Sequence, residues 1–279
     1  MQDFFLRYLA SKKSVDDRAL NAHVWSEMAQ IIKGPACRVL EIGAGIGTMI
    51  ERLDEHGLLE TAVYHAIDND PEHILICEER LRPLIQKHRL TFEATDLLDF
   101  IQQPQQIGQY DLILAHAFLD LMDIPAVLPD ILALLKPGGH FYFTINFDGG
   151  TIFEPSIDPQ FDALVENLYH QTMDERVTDG KLSGDSKSGR HLFHHIQDAG
   201  GQVTAAGSSD WVVFGINGRY PADEAFFLHT ILGYFENSLK ERPELDNKKF
   251  NQWLQTRRQQ IENGTLVYIA HQLDLFGQV

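Results

Sequence analysis

The chain has 279 residues and a hydrophobic content of 44%, enough to bury the core of at least one large domain. Its formal charge of −17 argues against phosphate backbones and anionic membrane surfaces as partners, and no apolar run approaches the roughly 20 residues of a membrane span. Only Cys37 and Cys77 occur, without metal-type spacing, and "MQDFFLRYLASKK" carries Asp3 and Arg7 with no cleavage pattern, so a reducing, cytoplasmic setting is expected.

In chain order, residues 3–33 read as helix interrupted near "SKKS", with Ser14 or Asp16 capping the second piece. "RVLEI" (38–42) reads as a buried strand and 47–57 as an amphipathic helix ending at Gly57. "AVYHAI" (62–67) is the next strand. A helix follows it, with Asp70 as N-cap and Pro71 in its first turn. Strands are expected at 89–95 and 110–116, a helix at 123–135 stopped by Pro137 and its glycines, and a fifth strand at 140–146. Beyond residue 147 the rhythm changes. A loop leads to helix at 160–173, then to the polar, turn-rich stretch 177–189, which reads as mobile. Helices are expected at 190–200, 221–240 and 246–263, strand pieces in 202–215, and a last strand in "TLVYIAHQLDLFG".

Strict alternation of apolar strands and helices predicts an α/β fold with a doubly wound, mostly parallel sheet. Right-handed crossovers put the C-terminal ends of its strands on one edge, where ligands of such sheets bind. At that edge "VLEIGAGIGT" places Gly43, Gly45 and Gly47 at alternate positions, with Ala44 between the first two, so a ligand can approach the backbone. Thr48 stands where a nicotinamide fingerprint has its third spaced glycine, and Glu41 suits a ligand with an ammonium group. Asp68, followed by Asn69, ends the second strand about 20 residues on, where an acid can accept both ribose hydroxyls. Asp96 ends the third strand. It suits either an adenine amine or a helix cap.

Together these segments resemble the class I S-adenosylmethionine-dependent methyltransferases, from "VLEIGAGIGT" through "AIDND", "ATDLLDF" and "YDLILAHAFLDLMD" to "LLKPGGHFYFT". The resemblance covers roughly residues 35–147. It implies a seven-stranded Rossmann-like sheet with an antiparallel last strand and a helical cap. It also implies S-adenosylmethionine as cofactor. Glu41, Gly43 and Gly45 would face its methionine part, Asp68 its ribose, and Asp96 with Leu97 its adenine, with His116 near the sulfonium. On this reading residues 1–279 form a single methyltransferase domain: a helical cap (1–34), a cofactor core (35–147), a cap and substrate segment (148–200), and a completion of the sheet (201–279).

The expected activity is methyl transfer to an oxygen, nitrogen or carbon of a small molecule, with no nucleic-acid or membrane partner and the oligomeric state open. Protein or RNA methylation and a non-catalytic nucleoside-binding role are the alternatives. His116, Ala117 and Phe118 stand where amino-methylating nucleic-acid enzymes carry a Pro-Pro-aromatic motif. His116 is the candidate base, because imidazole titrates near neutrality, and it competes with a structural hydrogen bond. Asn146 and Asp148, at the tip of the fifth strand, are candidates for orienting the acceptor. No metal is expected. His191 and His195 have ligand spacing on a helix with His194 beside them, but no third ligand can be named. Phe4, Phe5 and Tyr8 suit helix packing or an aromatic lid, and Lys12, Lys13 and Arg18 suit a solvated surface or the cofactor carboxylate.

Overall fold

The structure, a computed structural model, describes residues 2–178 and 180–279. Its elements run α1 (Gln2–Ala19), α2 (Ala22–Ile32), β1 (Arg38–Ile42), α3 (Thr48–Glu55), β2 (Val63–Asp68), α4 (Pro71–Arg80), α5 (Arg82–Lys87), β3 (Arg89–Ala94), α6 (Leu97–Ile101), β4 (Tyr110–His116), α7 (Ile124–Ala133) and β5 (Leu135–Glu154). They continue with α8 (Pro159–Asp174), β6 (Val177–Thr178), β7 (Lys181–Leu182), α9 (Ser188–Asp198), β8 (Gln202–Ser208), β9 (Trp211–Val213), α10 (Glu224–Leu239), α11 (Asn247–Glu262) and β10 (Val267–Gln278). The main sheet has eight strands in the order β3-β2-β1-β4-β5-β10-β8, with β9 pairing β10 off that path. Strands β1 to β5 are parallel neighbours, and β10 runs antiparallel to β8. The expected doubly wound, mostly parallel sheet with an antiparallel last strand is the fold observed, with one strand more than expected.

The chain divides into two compact units. The larger comprises residues 20–148, 187–209 and 273–279. Its sheet buries apolar side chains on both faces. Leu40, Ile42, Ile113 and Phe143 pack with α6, α7 and α9 on one side, and Val39, Tyr64, Leu112 and Tyr142 with α2, α3 and α4 on the other. Burial on both faces explains why these strands read as continuous apolar runs in the sequence.

The other unit comprises residues 1–19, 149–186 and 210–272. In it α1 packs along α10, with Phe4 against Phe226 at 5.0 Å between ring centroids and Tyr8 stacked on Phe227 at 6.0 Å. The N-terminal aromatics thus serve helix packing. Arg18 spans both carboxylate oxygens of Glu224, and Lys12 and Lys13 pair with Asp16 and Asp17 one turn on. Arg257, buried, donates to Asp162, which also accepts the indole N–H of Trp253.

Two local expectations change. "SKKS" lies inside α1, where the two Lys–Asp pairs support the helix. The break falls after Ala19 instead, and Asn21 caps α2 through the N–H groups of His23 and Val24. The segment after residue 147 is strand rather than loop. β5 continues to Glu154, with Thr151 and Phe153 buried in alternation with exposed Ile152 and Glu154. Within 177–189, β6 and β7 pair antiparallel, Val177 opposite Leu182, while Asp179 lies outside the described residues.

Candidate active site

The candidate site lies on the larger unit, at the C-terminal tips of β1 to β4 and beside them within β5; because β5 runs on to Glu154, Asn146 and Asp148 lie inside the strand and not at its tip as expected. The glycine turn after β1 has Gly43, Gly45 and Gly47 all left-handed, at φ of 70°, 53° and 80°. Such angles exclude most other residues and fold the chain into an open loop. The N–H groups of Gly43 and Ala44 both donate to Ile67 O, at 2.9 and 3.0 Å, which pins the loop to the end of β2. Gly47 caps α3, and a Cβ there would lie 2.6 Å from Cys77 Sγ and from a Leu81 methyl. A Cβ on Gly43 would lie 2.3 Å from a Phe118 ring carbon. Two of the three glycines therefore answer to protein neighbours as well as to any ligand.

Asp68 is the hinge of the site. Its Oδ2 accepts the Gly45 N–H at 2.8 Å and its Oδ1 the Asp70 N–H at 3.0 Å, with His73 Nδ1 at 3.1 Å. The carboxylate thereby couples the tip of β2 to the glycine loop. Asn69, beside it, is exposed. Asp96, also exposed, caps α6 by accepting the Leu98 N–H at 2.7 Å, while Leu97 is buried. The capping that the sequence allowed for Asp96 is present, and it fixes the carboxylate at the tip of β3.

Glu41 is 2% exposed and accepts the Tyr64 hydroxyl at 2.9 Å. Burial pushes its carboxyl up to about 8, against the lowering effects of the Tyr64 hydrogen bond and of Arg52. Asp68, also buried, lies close enough for its charge to raise Glu41 further.

His116 ends β4 opposite Thr144 of β5, and its Nδ1 lies 2.8 Å from Thr144 Oγ1. Beyond Thr144, Ile145 is held left-handed at φ 57°, and its N–H donates to Asp274 at 2.8 Å. Asn146 is fully buried. Its amide donates to Leu273 O at 2.9 Å, and its Oδ1 meets no donor among the described residues. Asp148 is 4% exposed and accepts both the backbone N–H and the Nε of Arg190, at 2.9 and 2.8 Å. Asp148 thus tethers the first turn of α9, a partner 42 residues away that no local pattern announces. The contacts of His73 with Asp68 and of Phe118 with Gly43 also escaped the sequence reading. A histidine in the helical turn after a strand-tip acid, and an aromatic just past β4, were the available signals. On α9, His191 and His195 have ring centroids 6.3 Å apart, and no group of three metal-ligating side chains forms among the described residues.

A parallel sheet with a glycine turn after β1 and acids at the tips of β2 and β3 defines the class of α/β proteins that bind nucleoside-containing ligands at the strand tips. Residues 40–141 match the family described as "Methyltransferase domain". That match covers under half of the chain, and over it the chain is similar to methyltransferase domains.

Among curated proteins, the chain is 34% identical over 140 residues to the highly reducing polyketide synthase sor1 of Hypocrea jecorina, covering 46% of this chain and 5% of that protein. It is 28% identical over 111 residues to the ubiquinone biosynthesis O-methyltransferase of Marinobacter nauticus, covering 39% of this chain and 44% of that one. The match therefore spans a small part of the synthase and under half of the O-methyltransferase. A solved structure similar to it is that of geranyl diphosphate C-methyltransferase from Streptomyces coelicolor, at 12% identity, with 91% of this chain and 80% of that one covered and a TM-score of 0.45.

Proposed function

We propose that the chain transfers a methyl group from S-adenosylmethionine to an oxygen, nitrogen or carbon of a small-molecule acceptor. The observation that carries this reading is the linkage of the left-handed Gly45 to Asp68, with Asp96 fixed on the next strand tip. The residues fit the donor. Left-handed glycines leave three loop positions without side chains, Asp68 keeps an acceptor site beyond its three contacts, and Asp96 is exposed at the tip of the next strand. Gly43, Ala44, Gly45 and Gly47 would form a cradle. Asn69 and Leu97 would flank the nucleoside, and Glu41 would act from beneath the loop.

The donor, when bound, supplies an activated methyl group on a sulfonium. The chain must then align the acceptor with the methyl–sulfur bond. His116, oriented through Thr144, would take a proton from an acceptor that arrives protonated. Asn146 would orient the acceptor, since its buried Oδ1, within β5 near His116, meets no donor among the described residues. Asp148 would act by holding α9 through Arg190. The acidic charge of the chain supports a non-nucleic-acid acceptor. The relatives' names, a polyketide synthase and an O-methyltransferase, support a small organic one.

Two measurements test this reading. Calorimetry should give binding of S-adenosylmethionine and none of NAD, and the reverse result sinks it. Labelled methyl donor offered against metabolite, peptide and RNA pools should label a small molecule. Label in RNA or peptide would reassign the acceptor, and none in any pool would leave a nucleoside-binding protein.

A further inference from the structure

Phe118 rests on the backbone of Gly43, the first glycine of the proposed donor loop. The chain delivers it there by a sharp reversal after β4. Ala117 is left-handed at φ 50°, and its N–H donates to Thr144 O at 2.8 Å. Phe118 O then accepts the Leu121 N–H at 3.0 Å, closing a short turn. One side of the ring packs on the core cluster that includes Ile42 and Leu119. Phe118 is half-buried, so part of the residue stays accessible just past the end of β4. A ring carbon would lie 2.3 Å from a Cβ on Gly43, which makes the glycine the seat of the ring.

The seat matters because of the charge the site must receive. The donor carries a fixed positive charge on sulfur, and transfer of the methyl group removes it. The carboxylates nearest in sequence are already engaged: Glu41 by Tyr64, and Asp68 by Gly45, Asp70 and His73. An ion pair with the sulfonium would also oppose the reaction, because it stabilises a charge that the transition state is losing. An aromatic face attracts a cation through its quadrupole, more weakly than a carboxylate and without a second charge to desolvate.

We propose that Phe118, seated on Gly43, recognises the sulfonium of the methyl donor by a cation–π contact and so makes the site sense the donor's charge. This rests on the donor-site reading above. It names a binding residue that neither the glycine loop nor the strand-tip acids supply.

The test compares ligands that differ in charge at one position: S-adenosylmethionine and sinefungin, both cationic there, and S-adenosylhomocysteine, which is neutral. Affinities are measured by calorimetry for the parent, Phe118→Leu and Phe118→Tyr. The Leu variant should weaken both cationic ligands roughly three- to tenfold relative to S-adenosylhomocysteine, and the Tyr variant should keep the parent's ratio. If Phe118→Leu fails to fold, 3,4,5-trifluorophenylalanine at position 118 keeps the shape, strips the ring face of its negative potential, and should lower the ratio likewise. Equal losses for all three ligands, or none, overturn the proposal and leave the ring a packing element. A parent that binds none of the three overturns the donor-site reading itself, and this inference with it.

Discussion

Asp68 accepts the backbone N–H of Gly45 at 2.8 Å, so the carboxylate proposed to hold the ribose also shapes the glycine loop. Asp68→Ala should therefore weaken S-adenosylhomocysteine binding by about 1.5–3 kcal/mol, since it deletes a charged acceptor. Asp68→Asn keeps an oxygen for Gly45 and should lose less. Calorimetry on the two variants separates the roles. Parent-like affinity in Asp68→Ala would move the nucleoside away from β2.

Glu41 gives a pH signature. Burial raises its folded-state pKa to about 8, above an ordinary carboxyl. The folded chain then binds the extra proton through the interval from about pH 4.5 to about pH 8, so stability falls as pH rises across it. Glu41→Gln keeps an acceptor for Tyr64 and removes the ionisation. The variant should be more stable than the parent at pH 9, by on the order of a few kcal/mol, and this advantage should shrink toward pH 5. Urea unfolding at both pH values measures it, and an advantage unchanged by pH would mean that Glu41 titrates normally.

Within β5 two nearby polar residues should separate. Asp148→Ala removes the acceptor for two donors of Arg190 and should cost about 1–2 kcal/mol of stability, most of it from the backbone donor, because the Arg190 side chain is half-exposed. Asn146→Ala should lower turnover while leaving cofactor affinity within about 1 kcal/mol of the parent. Denaturation and steady-state kinetics on the pair decide it. Unchanged turnover in Asn146→Ala would end its proposed role.

His116→Ala should cost about 10²-fold in turnover if the imidazole takes the acceptor's proton, and the loss should shrink at high pH where the acceptor ionises unaided. Thr144→Val, which removes the oxygen partner of Nδ1, should lower turnover less and in the same pH range. A rate equally flat across pH in parent and variants leaves alignment as the sole contribution of this strand tip.

Most of the sheet was legible because β1, β2, β4 and the first part of β5 are buried on both faces, and their apolar runs and cap residues are local signals. Asp70 at the start of α4 and the bounds of β4 follow from a few adjacent residues each. What stayed hidden is non-local. Nothing near Asp148 announces Arg190, and nothing near Gly43 announces Phe118. Glu41 illustrates a different limit: sequence gives its place on β1 but not the neighbours on its face. Tyr64 and Arg52 enter through other elements and take the carboxylate out of solvent. The outer half of β5 was missed because paired glycines at 149 and 150 look like a turn; Gly149 is indeed left-handed at φ 72°, and the strand continues through it to Glu154.

The buried carboxylate of Asp274 accepts the N–H of Asn21, at the start of α2, and the N–H of the left-handed Ile145. Its partners are thus 253 and 129 residues earlier in the chain. On a ribosome residues 20–148 would emerge with these donors unanswered and with a gap beside β5, which closes only when β10 arrives. Such long loops make closure a slow step of folding, and until then an open sheet edge is exposed to misassociation.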